Sequence, residues 1–219
     1  MKTRYVVLAA AVSLLICTAL LWLVMAPKGA DRSDAAVVSG AAAEALARAH
    51  AATLGKPDAK VHIVEFLDPA CETCRAFYPL VKKLMADNPD RIRLSVRLVA
   101  FHKGSDFVVK ALEASKMQGK FWPVLERMLA SQPTWTVQHT VKPDLVWAQL
   151  TALDLDLDKL KADMESPEVA KNVALDAQDA RLLKVTQTPE YFVNGRSMTT
   201  FGAEQLQQLV AQALASAYK

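Results

Sequence analysis

Cysteine is scarce in this chain, with three residues in 219. Three are too few for a disulfide scaffold, and a chain of this length buries enough apolar surface not to need one. The four histidines, His50, His62, His102 and His139, show no paired spacing. Together with so few thiols, that excludes a zinc site assembled from sequence neighbours. An excess of charge of one sign is also missing. The formal net charge is +3, Lys and Arg alternate with Asp and Glu, and no basic stripe is interleaved with aromatics, which argues against a nucleic-acid partner. No internal repeat or low-complexity block is present.

The N-terminus carries the longest apolar run. Lys2 and Arg4 precede an uncharged stretch from Tyr5 to Ala26. As a helix this stretch is roughly 33 Å long, enough to cross a bilayer core. It exceeds the apolar stretch of about 7–15 residues usual in a cleaved signal peptide, and Val24-Met25-Ala26 is followed by Pro27, a poor setting for cleavage. Ile16 before Cys17 is too bulky for a lipoprotein signal, so Cys17 reads as a membrane thiol without a role. Residues 1–26 are therefore expected to be a single-pass signal anchor in the cytoplasmic membrane. The remainder is then expected on the periplasmic, extracytoplasmic side, where a cysteine pair can be kept oxidised. Residues 27–57 read as a tether with a short helix, Ala41 to Thr53, broken by Gly55-Lys56-Pro57-Asp58.

Val61 to Leu67 is the β-rich apolar run of a buried central strand. A helix follows Cys71, with Phe77, Leu80, Val81 and Leu84 at apolar spacing, closing near Asn88-Pro89. Arg91 to Phe101 alternates charged and apolar residues and predicts a strand with one wetter face. Residues 104–183 are helical by pattern, with Asp156 opening one helix and Ser166-Pro167 an N-cap and first turn. Trp122, Trp135 and Trp147 fall there and are expected in packing. Tyr191-Phe192-Val193, the turn Asn194-Gly195 and a partner from Arg196 to Thr200 predict a hairpin. Ala203 to Tyr218 is a final amphipathic helix. The order β, α, β, helical block, β, β, α defines an α/β domain over residues 58–219.

Cys71-Glu72-Thr73-Cys74 lies at the strand-to-helix junction. Residues three apart on a first helical turn face the same side, and a thiolate at a helix N-terminus is stabilised by free N–H groups and the dipole. A structural disulfide closing so small a loop contributes little. The spacing points to a redox pair. Glu65, six residues earlier in an apolar strand, is costly to bury and should titrate high; it is expected beneath Cys74, where it can exchange a proton. Thr188-Pro189 is the third feature, extended at Thr188 and open to either peptide isomer.

These residues, Val64 to Cys74 followed by a helical block and Thr188 to Gly195, resemble the DsbA-like branch of the thioredoxin superfamily over about Asp58 to the C-terminus. The resemblance implies a thioredoxin fold with an inserted helical domain at about 104–183. It implies Cys71 as the attacking cysteine, Cys74 as the resolving one, Glu65 as the buried acid, Pro189 as the cis-proline and Thr188 as a binder of substrate backbone. It implies no cofactor and no metal, exported proteins as substrates, and a DsbB-like quinone-linked membrane protein as redox partner. The chain departs from strong oxidases of that family between the cysteines, where Glu72-Thr73 replaces Pro-His. A charge on Glu72 is expected to raise the Cys71 thiol relative to a site with His there and to weaken the oxidant. Oxidation of exported proteins is the favoured direction. Reduction or isomerisation is the alternative, and a copper-binding factor using both thiolates and Met198 is a third class.

Overall fold

A computed structural model describes residues 37–219; the apolar run Tyr5 to Ala26 lies outside them. Among the described residues no helix is long and apolar enough to cross a membrane. The segment begins with α1 (Ala41–Leu46) and β1 (Ala52–Leu54), then β2 (Val61–Leu67), α2 (Glu72–Asp87) and β3 (Ile92–Leu98). A block of α3 (Ser105–Ser115), α4 (Phe121–Trp135), the hairpin β4 (Thr136–Val137) and β5 (Thr140–Val141), α5 (Pro143–Leu150), α6 (Leu157–Met164) and α7 (Pro167–Leu182) follows. The chain closes with β6 (Glu190–Val193), β7 (Arg196–Ser197) and α8 (Ala203–Ala217).

Five strands form one sheet in the order β1-β3-β2-β6-β7. β2 and β3 run parallel, with Glu65 opposite Val96, and β6 runs antiparallel to β2, with Tyr191 opposite Glu65. Strand alternation then sorts the faces. Val61, Ile63 and Leu67 of β2 join the larger core with Cys71, Cys74, α8 and the helical block, while Val64 and Phe66 join a smaller core with Phe192, Ala180 and Leu46. Two expected helix starts are capped as the sequence implies. Asp156 accepts from the Lys159 N–H at 2.9 Å and Ser166 from the Val169 N–H at 3.3 Å, with Pro167 at the first helical turn. The Asn194-Gly195 hairpin turn also forms, both residues at positive φ. Trp135 is fully buried and donates to the Met128 carbonyl, and Trp147 packs edge-on against Phe107.

Three expectations are corrected. The helix expected over Ala41–Thr53 ends at Leu46, and residues 52–54 pair with β3 instead. The following turn needs Gly55, at φ 95°, because a Cβ there would sit 2.5 Å from the Ile92 carbonyl. The block from Gly104 to Leu183 is not purely helical, since it carries the β4–β5 hairpin. Nor does β3 have a wet face. Arg97 and Ser95 are buried, and Arg97 meets Asp176 and Asp179 of α7 at 2.6–2.7 Å. Arg48 forks onto Asp179 with two 2.8 Å bonds and His50 reaches Asp176 at 2.6 Å, so this charge cluster ties α7 and the α1–β1 segment to the sheet.

Candidate functional site

The site is built where β2 ends. Asp68 is fully buried and its carboxylate accepts from the N–H groups of Ala70, Phe101 and His102 at 2.6–2.8 Å and from the Ser105 hydroxyl at 3.1 Å. One side chain thereby fastens the β2–α2 loop to the loop that follows β3. Gln132 of α4, also fully buried, donates to the carbonyls of Pro69 and Cys71 at 2.9 Å each. Cys71 occupies the N-cap of α2 in extended geometry, and its own N–H bonds the Asp68 carbonyl at 3.0 Å.

Both cysteines are buried and unbridged, Cys74 completely and Cys71 to 5% exposure. Their environments push them apart. Cys71 is drawn down to about 5, chiefly by its hydrogen bond with Cys74; burial opposes this, and the Thr188 side chain with the N–H groups of Cys74 and Thr73 adds to it. As a thiol, Cys71 donates to the Thr188 carbonyl at 3.2 Å. Ionisation gives up that bond, so the helix N-terminus and Cys74 hold the sulfur's charge. Cys74 is pushed well above an ordinary thiol by burial, by its bond to Cys71 and by the nearby Glu65.

Glu65 is completely buried and burial pushes it up to about 8; the Cys71 charge acts in the same direction and the Tyr191 hydroxyl, donating at 3.0 Å, acts against it. Oε2 of Glu65 has no hydrogen-bond partner among the described residues. A carboxyl that is half-satisfied in an apolar setting holds its proton at neutral pH. Thr188-Pro189 is a cis peptide bond that precedes β6, and that strand carries Tyr191 to Glu65. The fold thus gathers Cys71, Cys74, Glu65, Thr188 and Pro189 at one end of the sheet. Met198, considered as a copper ligand, packs against the larger core.

Glu72 has a partner that no local pattern announces: its Oε1 lies 2.9 Å from His139 Nδ1. Four residues at the site were not singled out as its candidates. Asp68 read only as a strand terminator, and Gln132 and His139 lie 61 and 68 positions beyond Cys71 without a local pattern to mark them. His102 is the fourth. Burial lowers it, but the Asp68 carboxylate at 2.9 Å and the charges of Cys71 and Glu72 leave it above an ordinary histidine.

A family model described as Thioredoxin matches residues 48–212. The chain belongs to that family. Within it, the chain is 30% identical over 156 residues to disulfide bond formation protein D of Bacillus subtilis, an alignment covering 68% of this chain and 69% of that protein. A thioredoxin-like oxidoreductase from Silicibacter pomeroyi is 28% identical and superposes with a TM-score of 0.68, covering 78% of this chain and 97% of the other. The Na(+)/H(+) antiporter NhaA of Herminiimonas arsenicoxydans is 31% identical over 144 residues, 66% of this chain, but the chain spans only 22% of that antiporter's length.

Proposed function

We propose that the protein is an extracytoplasmic thiol–disulfide oxidoreductase that introduces disulfides into exported proteins through Cys71 and Cys74. The observation that carries this reading is the split within one buried pair. Cys71 sits at a helix N-terminus at about 5 and Cys74 is held far above an ordinary thiol by burial. A stabilised Cys71 thiolate stabilises the reduced enzyme, and that makes its disulfide an oxidant.

In the oxidising direction a substrate thiolate attacks Cys71 Sγ and the Cys71–Cys74 bond breaks. Cys74 leaves with the bonding pair and takes up a proton. Glu65, still protonated at neutral pH and less basic than the Cys74 thiolate, is placed to supply it. A second substrate thiolate then attacks the substrate sulfur of the mixed disulfide, and Cys71 departs as a thiolate, the better leaving group of the two. Two electrons pass from the substrate dithiol to the enzyme pair. Thr188 and Pro189 flank Cys71 and offer the carbonyl at 3.2 Å against which a substrate backbone would align. Reoxidation falls to a membrane redox partner of the quinone-linked kind, and residues 1–26 would anchor the chain beside it.

The test is a reduced dithiol peptide mixed with the oxidised protein, with peptide disulfide followed by mass. Wild type should convert it stoichiometrically, Cys74→Ser should accumulate a mixed disulfide when presented with an oxidised peptide, and Cys71→Ser should do neither. Undiminished exchange by Cys71→Ser would overturn the assignment.

A further inference from the structure

The β4–β5 hairpin reaches from the helical block to the cysteine pair. Thr136 pairs with Val141 and Val137 with Thr140, which leaves Gln138 and His139 as a two-residue turn. Both are left-handed, at φ 50° and 56°, in positions where such turns usually carry Asn or Gly. The hairpin is fastened on both sides. Val141 N–H donates to the Lys103 carbonyl at 3.0 Å, Lys142 N–H to that of Trp135 at 2.9 Å, and the Thr136 hydroxyl to that of Gln132 at 2.8 Å. Gln132 is the residue that also holds the Cys71 carbonyl. The turn that presents His139 and the contact that holds Cys71 are therefore built on the same end of α4.

We infer that His139 is a positioning residue for the redox pair: it holds the Glu72 carboxylate and offsets its charge beside Cys71. The inference rests on the Cys71–Cys74 reading above. An unpaired Glu72 carboxylate disfavours the neighbouring thiolate, and a His139 ring N–H donated to it at 2.9 Å offsets part of that penalty. Glu72 is about half-exposed and His139 largely so, and their effect is therefore a modest trimming of Cys71 rather than the main cause of its acidity. Four other titratable groups lie on the elements around this contact. Arg75 of α2 lines a 280 Å³ cavity together with Glu72, Gln132 and His139, and its Nε has no hydrogen-bond partner among the described residues. His102 follows β3, Lys103 bridges to Thr140 and Lys142 follows β5. All four are basic and His102 already feels the Glu72 charge, so it is the direct contact at 2.9 Å that sets His139 apart. The device places control of thiolate stability in the inserted block, outside the Cys-x-x-Cys segment.

The experiment is a pH titration of thiolate absorbance near 240 nm on the reduced full chain, for wild type, His139→Ala, Glu72→Gln and the double variant. His139→Ala should raise the Cys71 midpoint by about half a unit, roughly a threefold loss of thiolate below it. Glu72→Gln should lower the midpoint, and adding His139→Ala to it should change nothing further. Glu72→Gln approaches the pair from a half-exposed helical position, which keeps the test sound if the hairpin variant misfolds. An unchanged midpoint in His139→Ala, or the same shift with and without Glu72, would overturn the inference while leaving the cysteine reading intact. A titration identical in Cys71→Ser would overturn both.

Discussion

The Cys71 sulfur lies 3.2 Å from the Thr188 carbonyl, although 117 residues separate the two in the chain. That contact brings the strand–helix junction and the start of β6 to one point, and it sets where a substrate cysteine has to arrive. Replacing Thr188 with Val keeps the backbone carbonyl and removes the hydroxyl that helps draw Cys71 down. The expected outcome is a Cys71 midpoint raised from about 5, read by iodoacetamide alkylation rate against pH, with peptide exchange retained.

Ionisation of Cys71 should also appear as stability. Its folded-state value of about 5 lies below the ordinary thiol value of 9.0, so the thiolate's contribution is complete above about pH 9 and is lost as pH falls through 5. Urea unfolding of the reduced protein, compared with Cys71→Ser, should show the gap widening from pH 5 to pH 9.

Glu65 has the opposite sign. A carboxyl raised from 4.5 to about 8 favours the folded state only while protonated. Its contribution is fully present below pH 4.5 and falls away as pH rises to 8. Glu65→Gln should therefore gain melting temperature over wild type progressively between pH 4.5 and 8, with no gain at pH 4. The same variant should release Cys74 more slowly from the disulfide, by roughly 10²-fold if proton donation is its role, in single-turnover oxidation of a dithiol peptide.

Arg97 is fully buried between Asp176 and Asp179. Truncating it leaves two carboxylates with less compensation in the interior, so Arg97→Ala should cost roughly 3–5 kcal/mol in denaturant unfolding. Because this cluster joins β3 to α7 on the sheet face away from the cysteines, the Cys71 midpoint of any folded fraction should not move.

The features legible in the sequence were those fixed by short-range rules. Cysteines three apart after an apolar strand, a proline at the first helical turn behind Ser166, and Asn-Gly between two β-rich runs each carry their geometry within a few residues. The rest depends on partners distant in the chain. β1 is three residues long and exists because Ala52–Leu54 pairs with β3. Arg97 reads as a wet position until Asp176 and Asp179, some eighty residues later, close over it. His139 sits in a turn whose residues favour neither Asn nor Gly, so nothing local announces a hairpin there, and its contact with Glu72 needs the whole α4 helix to be placed first.

The most direct measurement is the reduction potential of the Cys71–Cys74 pair, obtained by equilibrating the full chain with glutathione redox buffers and quantifying free thiols. With Cys71 at about 5, between the values of about 7 in thioredoxin and about 3.5 in DsbA, the potential should lie between roughly −270 and −120 mV and above the thioredoxin end of that range. A potential at or below about −270 mV would mark a reductant, and the assignment of these two cysteines to disulfide formation would fail.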